Sequence, residues 1–184
     1  IWHWYCGAPL ALSLRVGERV ETQRLGCNIF QGERPQLIVP AGVWQSADAG
    51  TTWTQTALAD RMTLSLTFGP GDNVLYAGTA FGPEISTDFG VSWMDPDPLE
   101  GGGQAFGYAV TLDPNNTQKV LAGALYATAM ISDNRGIDWH PVGVDYAPRE
   151  SRAIRVDPRD SNRVYSGSFY SGVFKSEDGG ATWS

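Results

Sequence analysis

An all-β fold made of repeated four-stranded units is what this sequence predicts, and three observations carry it. The 184 residues include 22 Gly, 11 Pro, 7 Trp and 7 Tyr but only 2 Lys, a composition of short strands and tight turns. A Ser-x-Asp-x-Gly-x-x-Trp pattern recurs four times, and a Pro followed by a strand ending in Gly recurs every 44 residues. Alternating apolar and polar runs stand before each of those prolines, the signature of a half-buried strand.

The four turn motifs are Ser46-Ala-Asp48-Ala-Gly50-Thr-Thr-Trp53, Ser86-Thr-Asp88-Phe-Gly90-Val-Ser-Trp93, Ser132-Asp-Asn134-Arg-Gly136-Ile-Asp-Trp139 and Ser176-Glu-Asp178-Gly-Gly180-Ala-Thr-Trp183. Their starts lie 40, 46 and 44 residues apart. A short Asp or Asn side chain accepts bonds from backbone N–H groups further along such a turn, and Gly takes the positive φ that closes it. Trp then contributes apolar area with one N–H for a polar rim. These residues therefore read as structural, and Asn134 in place of Asp fits a turn acceptor better than a general acid. Before the last three motifs lie Gly69-Pro70 to Gly78, Asp113-Pro114 to Gly123 and Asp157-Pro158 to Gly167, preceded by strands at Met62–Phe68, Tyr108–Leu112 and Ala153–Val156. Each unit reads as strand, turn, strand ending in Gly, short strand, Ser-x-Asp-x-Gly turn, and a strand opening at Trp. Four strands per roughly 40–50 residues is the make-up of one propeller blade.

The recurring turn resembles the Asp-box, or bacterial neuraminidase repeat, over residues 46–184. That resemblance implies a β-propeller and an extracellular or periplasmic setting. It leaves the activity open, because sialidases, xyloglucanases, receptors and assembly factors share the architecture. Residues 1–47 do not repeat. Ile1-Trp-His-Trp-Tyr-Cys-Gly7-Ala-Pro-Leu10, Leu25-Gly26 and Gly32 to Pro40-Ala-Gly42-Val-Trp44-Gln resemble part of a sugar-epimerase-like cupin. The segment Pro40–Gln45 has no histidine where metal-binding cupins carry one, and His3 is a lone imidazole, so no metal and no cofactor are expected. The division is 1–57, a cupin-like segment forming a first blade, and 58–184, three propeller repeats, in one domain. The first blade would use Leu10–Val16, Val20–Leu25, Gln36–Gln45 and Thr52–Thr56. Ile1–Tyr5 would then supply the last blade's fourth strand and close a four-bladed ring, since propellers avoid open sheet edges by closing. The alternative is a partial propeller completed by a homo-oligomer.

Twenty acidic against 13 basic residues give a net charge of −7 without a basic run, which argues against a nucleic-acid partner. Apolar stretches fall well short of the roughly 20 residues of a membrane span. Cys6 and Cys27 allow at most one disulfide and no zinc site. The first residue is Ile with no charged-then-apolar leader before it, which reads as a processed chain, a trimmed one or a fragment.

Catalytic signals are sparse. Arg149, Glu150, Arg152 and Arg155 cluster with Asp145 and Tyr146, the densest charged group, which reads first as a solvated strand face. A glycoside hydrolase fragment, sialidase- or xyloglucanase-like, would need two carboxylates across a cleft. Asp145 and Glu150 are its weak candidates, with Asp95, Asp97 and Glu100 also spare. A third reading is a cupin-derived sugar-modifying domain. The leading expectation is a non-catalytic module, leaning away from an enzyme, that binds or scaffolds a protein or glycan. Phe81, Tyr126 and Phe169-Tyr170 recur at equivalent places and, with Arg152 and Arg155, form the expected contact surface. Asn115-Asn116-Thr117 matches an N-glycosylation acceptor.

Overall fold

The computed structural model of the chain describes residues 2–3, 8–37, 39–71, 73–95, 107–124, 129–142 and 150–184. Two units divide it, Ile1–Arg61 and Met62–Ser184. Among the described residues the regular elements are strands apart from one 3-10 turn at Ile29–Gln31, and no helix is long and apolar enough to cross a membrane.

The first unit contains β1 (Trp2–His3), β2 (Leu10–Val16), β3 (Arg19–Leu25), β4 (Gln36–Leu37), β5 (Gly42–Gln45) and β6 (Thr52–Ala59). Its main sheet runs β3-β2-β6-β5. The β2–β3 hairpin turns at Gly17, whose φ of +60° suits glycine, and β5–β6 is a second hairpin across the Ser46–Trp53 turn. The two join by a parallel pairing of β2 with β6, Ser13 opposite Thr52. This corrects the expected blade, which would be an antiparallel meander in chain order. The expected strand Gln36–Gln45 also divides at Pro40, which has no N–H for a ladder. Its first part, β4, pairs with β1, so Trp2–His3 lie against Gln36–Leu37 and not on the last sheet, as the predicted closure required. A small core of Leu12 and Leu25, flanked by Leu14, Val39 and Trp53, fills this unit.

The second unit contains β7 (Thr63–Phe68), β8 (Leu75–Thr79), β9 (Gly82–Ser86), β10 (Gly107–Asp113), β11 (Asn116–Ala124), β12 (Ala129–Ser132), β13 (His140–Val142), β14 (Ser151–Asp157), β15 (Asp160–Ser168) and β16 (Gly172–Ser176). They form three antiparallel meanders, β7-β8-β9, β10-β11-β12-β13 and β14-β15-β16. Faces of adjacent sheets interlock. Tyr76 and Ile85 of the first pack on Val110, Val120, Ala122 and Met130 of the second, and Leu121 and Ile131 of the second pack on Ile154, Val156 and Val164 of the third. Side-by-side packing of successive meanders, each buried against the next, is propeller-like.

Every Ser-x-Asp-x-Gly turn has the same wiring. The Ser hydroxyl donates to the Asp or Asn Oδ1 at 2.7–2.9 Å and accepts the Gly N–H at 2.7–2.8 Å. That Oδ1 also accepts the backbone N–H four residues on, at 2.8–2.9 Å. Gly50, Gly90, Gly136 and Gly180 have φ between +83° and +100°, as the turn reading requires. Trp53, Trp93 and Trp139 donate their indole N–H to the carbonyls of Gly50, Gly90 and Gly136, whereas the Trp183 N–H is buried without an acceptor. Pairing with the strand before each turn resumes at the residue after the Trp, although Thr52 and Trp53 already pair with β2. Thr54 faces Gln45, Met94 faces Ile85, His140 faces Ile131, and Ser184 exchanges backbone bonds with Lys175.

Each turn in the second and third sheets is also seated on the sheet before it. The Tyr76 hydroxyl donates to the Arg135 carbonyl at 3.0 Å, and Lys119 Nζ donates to the equivalent Gly179 carbonyl at 2.8 Å. The Asp-Pro turns are Asx turns, with Asp113 and Asp157 accepting the N–H two residues on. A clasp joins two of them, because Ser161 donates to Asp113 at 2.8 Å and the Asn115 amide reaches Pro158 and Ser161. The predicted glycosylation acceptor is thus engaged within the protein.

Candidate functional site

The turns that join the second and third strands of each sheet, and the starts of the first strands, lie at the end of the meander opposite the Ser-x-Asp-x-Gly turns. At this end the third sheet builds a cluster around Arg152. A β-bulge between Ser151 and Ala153 sets Arg152 out of the regular alternation of β14. Its guanidinium carbon stands 4.2 Å from the centre of the Phe169 ring and 5.1 Å from that of Tyr108. Cation–π attraction of this kind holds the long side chain in place. Glu150 Oε2 accepts from Arg152 at 3.3 Å, and Glu150 itself has a positive φ of +64° while its carbonyl takes the Phe169 N–H. Phe169 and Tyr170 meet edge to face, 4.8 Å between centroids, and are 58% and 72% exposed.

The structure therefore brings together Phe169, Tyr170, Arg152 and Glu150 from the expected set, and adds Tyr108. Arg155 is not in this group. It lies further along β14 opposite Tyr165, with its guanidinium on the Ile154 carbonyl. Phe81 holds the corresponding turn of the first sheet and is exposed there. Tyr126, Asp145, Tyr146, Arg149, Asp97, Glu100 and Cys6 lie outside the described residues. Tyr108 went unselected in the sequence, yet its signal was present. It stands 44 residues before Arg152 at the same repeat position, and the same bulge falls there, between Gly107 and Ala109.

Among the described residues, the carboxylates whose acidity is clearly perturbed are shifted toward the ionised form. Hydrogen bonds from Thr182, side chain and backbone, bring Asp178 down to about 2, and those of Thr52 and Ser92 lower Asp48 and Asp88. The Arg159 N–H lowers Asp157, and Lys175 lowers Glu177. A general acid of a glycosidase needs the opposite shift. Among the described residues no three His, Cys, Asp or Glu side chains come together as a metal site would require. Cys27 is an exposed free thiol.

Comparison with known proteins gives two partial likenesses. The model of the cupin superfamily family DUF985 matches residues 1–71, less than half of the chain. No curated protein matches. The fold is similar to that of an ancestral GH74 enzyme, TM-score 0.65 at 23% identity, over 78% of this chain and 21% of that one. It is also similar to the GH74 enzyme of Niastella koreensis, TM-score 0.58 at 17% identity, over 78% of this chain and 26% of that one. YCF48 bound to D1 peptide aligns at TM-score 0.54 and 12% identity, over 66% of this chain and 39% of that one. The chain thus spans from about a fifth to two-fifths of these propeller proteins, and the likeness establishes a propeller-like segment.

Proposed function

We propose that the repeats of residues 58–184 form a non-catalytic Asp-box propeller segment that binds or scaffolds a glycan or protein partner, with residues 1–57 as a cupin-like segment preceding it in the chain. The observation that carries this reading is the exposed Phe169–Tyr170 pair braced by Arg152. Exposed rings held rigid lose little entropy on contact and are the residue types that dominate binding surfaces. Glu150, the described candidate for a catalytic acid, is instead paired with Arg152.

Retention on a glycan array and by peptide pull-down tests the reading. Phe169→Ala with Tyr170→Ala should weaken whichever ligand is retained by tenfold or more, a loss of about 1.4 kcal/mol or more. Hydrolysis of a fluorogenic glycoside panel that is abolished by Asp145→Asn or Glu150→Gln would replace this reading with the glycoside hydrolase one. Self-association is the alternative way to complete the ring. Leu66 and Tyr165 are 47% and 42% exposed on the outer faces of the first and third sheets, while their repeat equivalents Val110 and Leu121 are buried between sheets. Light scattering that returns a monomer mass at all concentrations would dispose of it.

A further inference from the structure

In the Ile1–Arg61 unit, β3 is the edge strand of its sheet, paired along its length with β2. Among the described residues its outer side is bridged at Leu25 alone, by Arg34 in parallel. The Arg34 N–H donates to the Arg24 carbonyl at 2.8 Å, and the Gly26 N–H donates to the Arg34 carbonyl at 2.9 Å. Successive residues of a strand turn their backbone groups to opposite sides, so these bonds identify Val20, Thr22 and Arg24 as the residues whose N–H and C=O groups point outward. Ahead of Arg34 the pairing stops, because the chain there forms the 3-10 turn Ile29–Gln31, which Gly32 ends in the left-handed region at φ +78°. The gap between Gly32 and β3 is a cavity of about 440 Å³ lined by Glu21, Thr22, Gln23, Arg24, Gly32 and Arg34. A row of open backbone donors and acceptors at a sheet edge is a template for another strand.

The side chains around this edge define what would pair there. Glu21, the one acid of the lining, is engaged by Arg19 at 2.6 Å. Arg24 and Arg34 are exposed, and among the described residues neither guanidinium has a carboxylate partner. Two unpaired guanidiniums at one cavity repel each other and attract carboxylates, which they bind through charge-assisted, bidentate hydrogen bonds. Thr22 shares the outer face of β3 with Arg24, and its hydroxyl is held by Ser13 at 2.7 Å, so no bulky group blocks an approaching chain. We infer that the open edge of β3 binds an extended acidic peptide as an added strand, its backbone paired with the outward groups of Thr22 and Arg24 and its carboxylates on Arg24 and Arg34. Main-chain pairing gives such a complex its affinity, and the side chains on alternate ligand residues give it specificity. The site belongs to the Ile1–Arg61 unit and is independent of the aromatic cluster of the second unit.

Fluorescence anisotropy of a labelled Glu-Thr-Glu-Val-Glu-Thr-Glu peptide, titrated with the full chain, should show saturable binding. It should be about tenfold tighter than that of the Lys-Thr-Lys-Val-Lys-Thr-Lys counterpart and should weaken as salt is added. The acidic peptide N-methylated throughout keeps every carboxylate but loses its backbone donors, and should bind about tenfold more weakly. Arg24→Gln combined with Arg34→Gln should cost about tenfold as well, without loss of folding, since both side chains are exposed. Thr22→Val keeps the outward N–H and should bind like the parent, whereas Thr22→Pro removes it and should bind about tenfold more weakly. Proline is accommodated on an edge strand whose N–H faces outward. Should Thr22→Pro nevertheless fail to fold, the N-methylated peptide makes the same test on the unaltered protein. Equal binding of the acidic and lysine peptides, undiminished binding of the N-methylated peptide or by the double arginine variant, or no saturation by the acidic peptide would each overturn the assignment.

Discussion

Gly123→Ala and Gly78→Ala should each destabilise the Met62–Ser184 unit by about 1–3 kcal/mol, while Gly167→Ala should be neutral or slightly stabilising. The three glycines are one repeat position, each near the end of the second strand of its sheet. A Cβ at Gly78 would stand 2.4 Å from the Gly107 carbonyl oxygen, and one at Gly123 would stand 2.4 Å from the Ser151 carbonyl oxygen. Gly107 and Ser151 open the first strands of the neighbouring sheets, so neither oxygen can retreat without moving a strand. At Gly167 the nearest atom is the Ala153 Cβ at 3.5 Å, an ordinary contact, because no further sheet among the described residues abuts it. Where the backbone tolerates it, Gly→Ala stabilises by about 0.4–1 kcal/mol through the unfolded chain. Urea denaturation of the three variants therefore separates close approach from strand propensity. Equal costs at all three positions would show that glycine is required by the strand and not by the neighbouring sheet.

What the sequence made legible is local. The strands at Met62–Phe68, Tyr108–Leu112 and Ala153–Val156 are β7, β10 and β14 to within one or two residues, because alternation and Asx-turn chemistry both act over a few residues. The Ser-x-Asp-x-Gly turns are equally readable, since every bond in them spans four residues or fewer. The first unit is different in kind. Its order rests on Ser13 meeting Thr52 in a parallel pairing, a contact made nearly forty residues along the chain that no local pattern specifies. Two hairpins of correct strand content can be joined in several ways, and the sequence distinguishes none of them.

The candidate site follows the same division. Phe169 and Tyr170 were readable from their recurrence after the glycine of each second strand, and Arg152 from the local density of charge. Their assembly was not, because it depends on a bulge that turns Arg152 toward Tyr108 in the neighbouring sheet. Counting by repeat position would have exposed the pair, since Leu64, Tyr108 and Arg152 each occupy the bulge of their own sheet. Arg155, three residues on, lies beyond the bulge in regular register and joins a different face.

Tyr76→Ala should be the most damaging single truncation in the second unit, at about 3–5 kcal/mol. The ring is fully buried between the first and second sheets, packed with Ile85, Val110 and Met130. It also forms the seat of the following turn, for a Cβ at Gly136 would come within 3.3 Å of its Cε1. Burial pushes the phenol above its ordinary pKa, with the Arg135 charge working against this, so the hydroxyl remains the donor to the Arg135 carbonyl. The repeat separates the two contributions. Leu121 holds the equivalent place in the second sheet and meets Gly180 in the same way, while Lys119 delivers the hydrogen bond to Gly179 from another position. Packing against the following turn is therefore what Tyr76 and Leu121 share, and the bond to the Arg135 carbonyl is the addition at Tyr76. Tyr76→Phe should cost only about 0.5–1.5 kcal/mol, and Tyr76→Leu, which keeps much of the seat, should fall between Phe and Ala. Chemical denaturation of the three variants decides the matter. A Phe variant as unstable as the Ala variant would mean that the bond to Arg135, and not the fit of the ring against Gly136, holds the two sheets together.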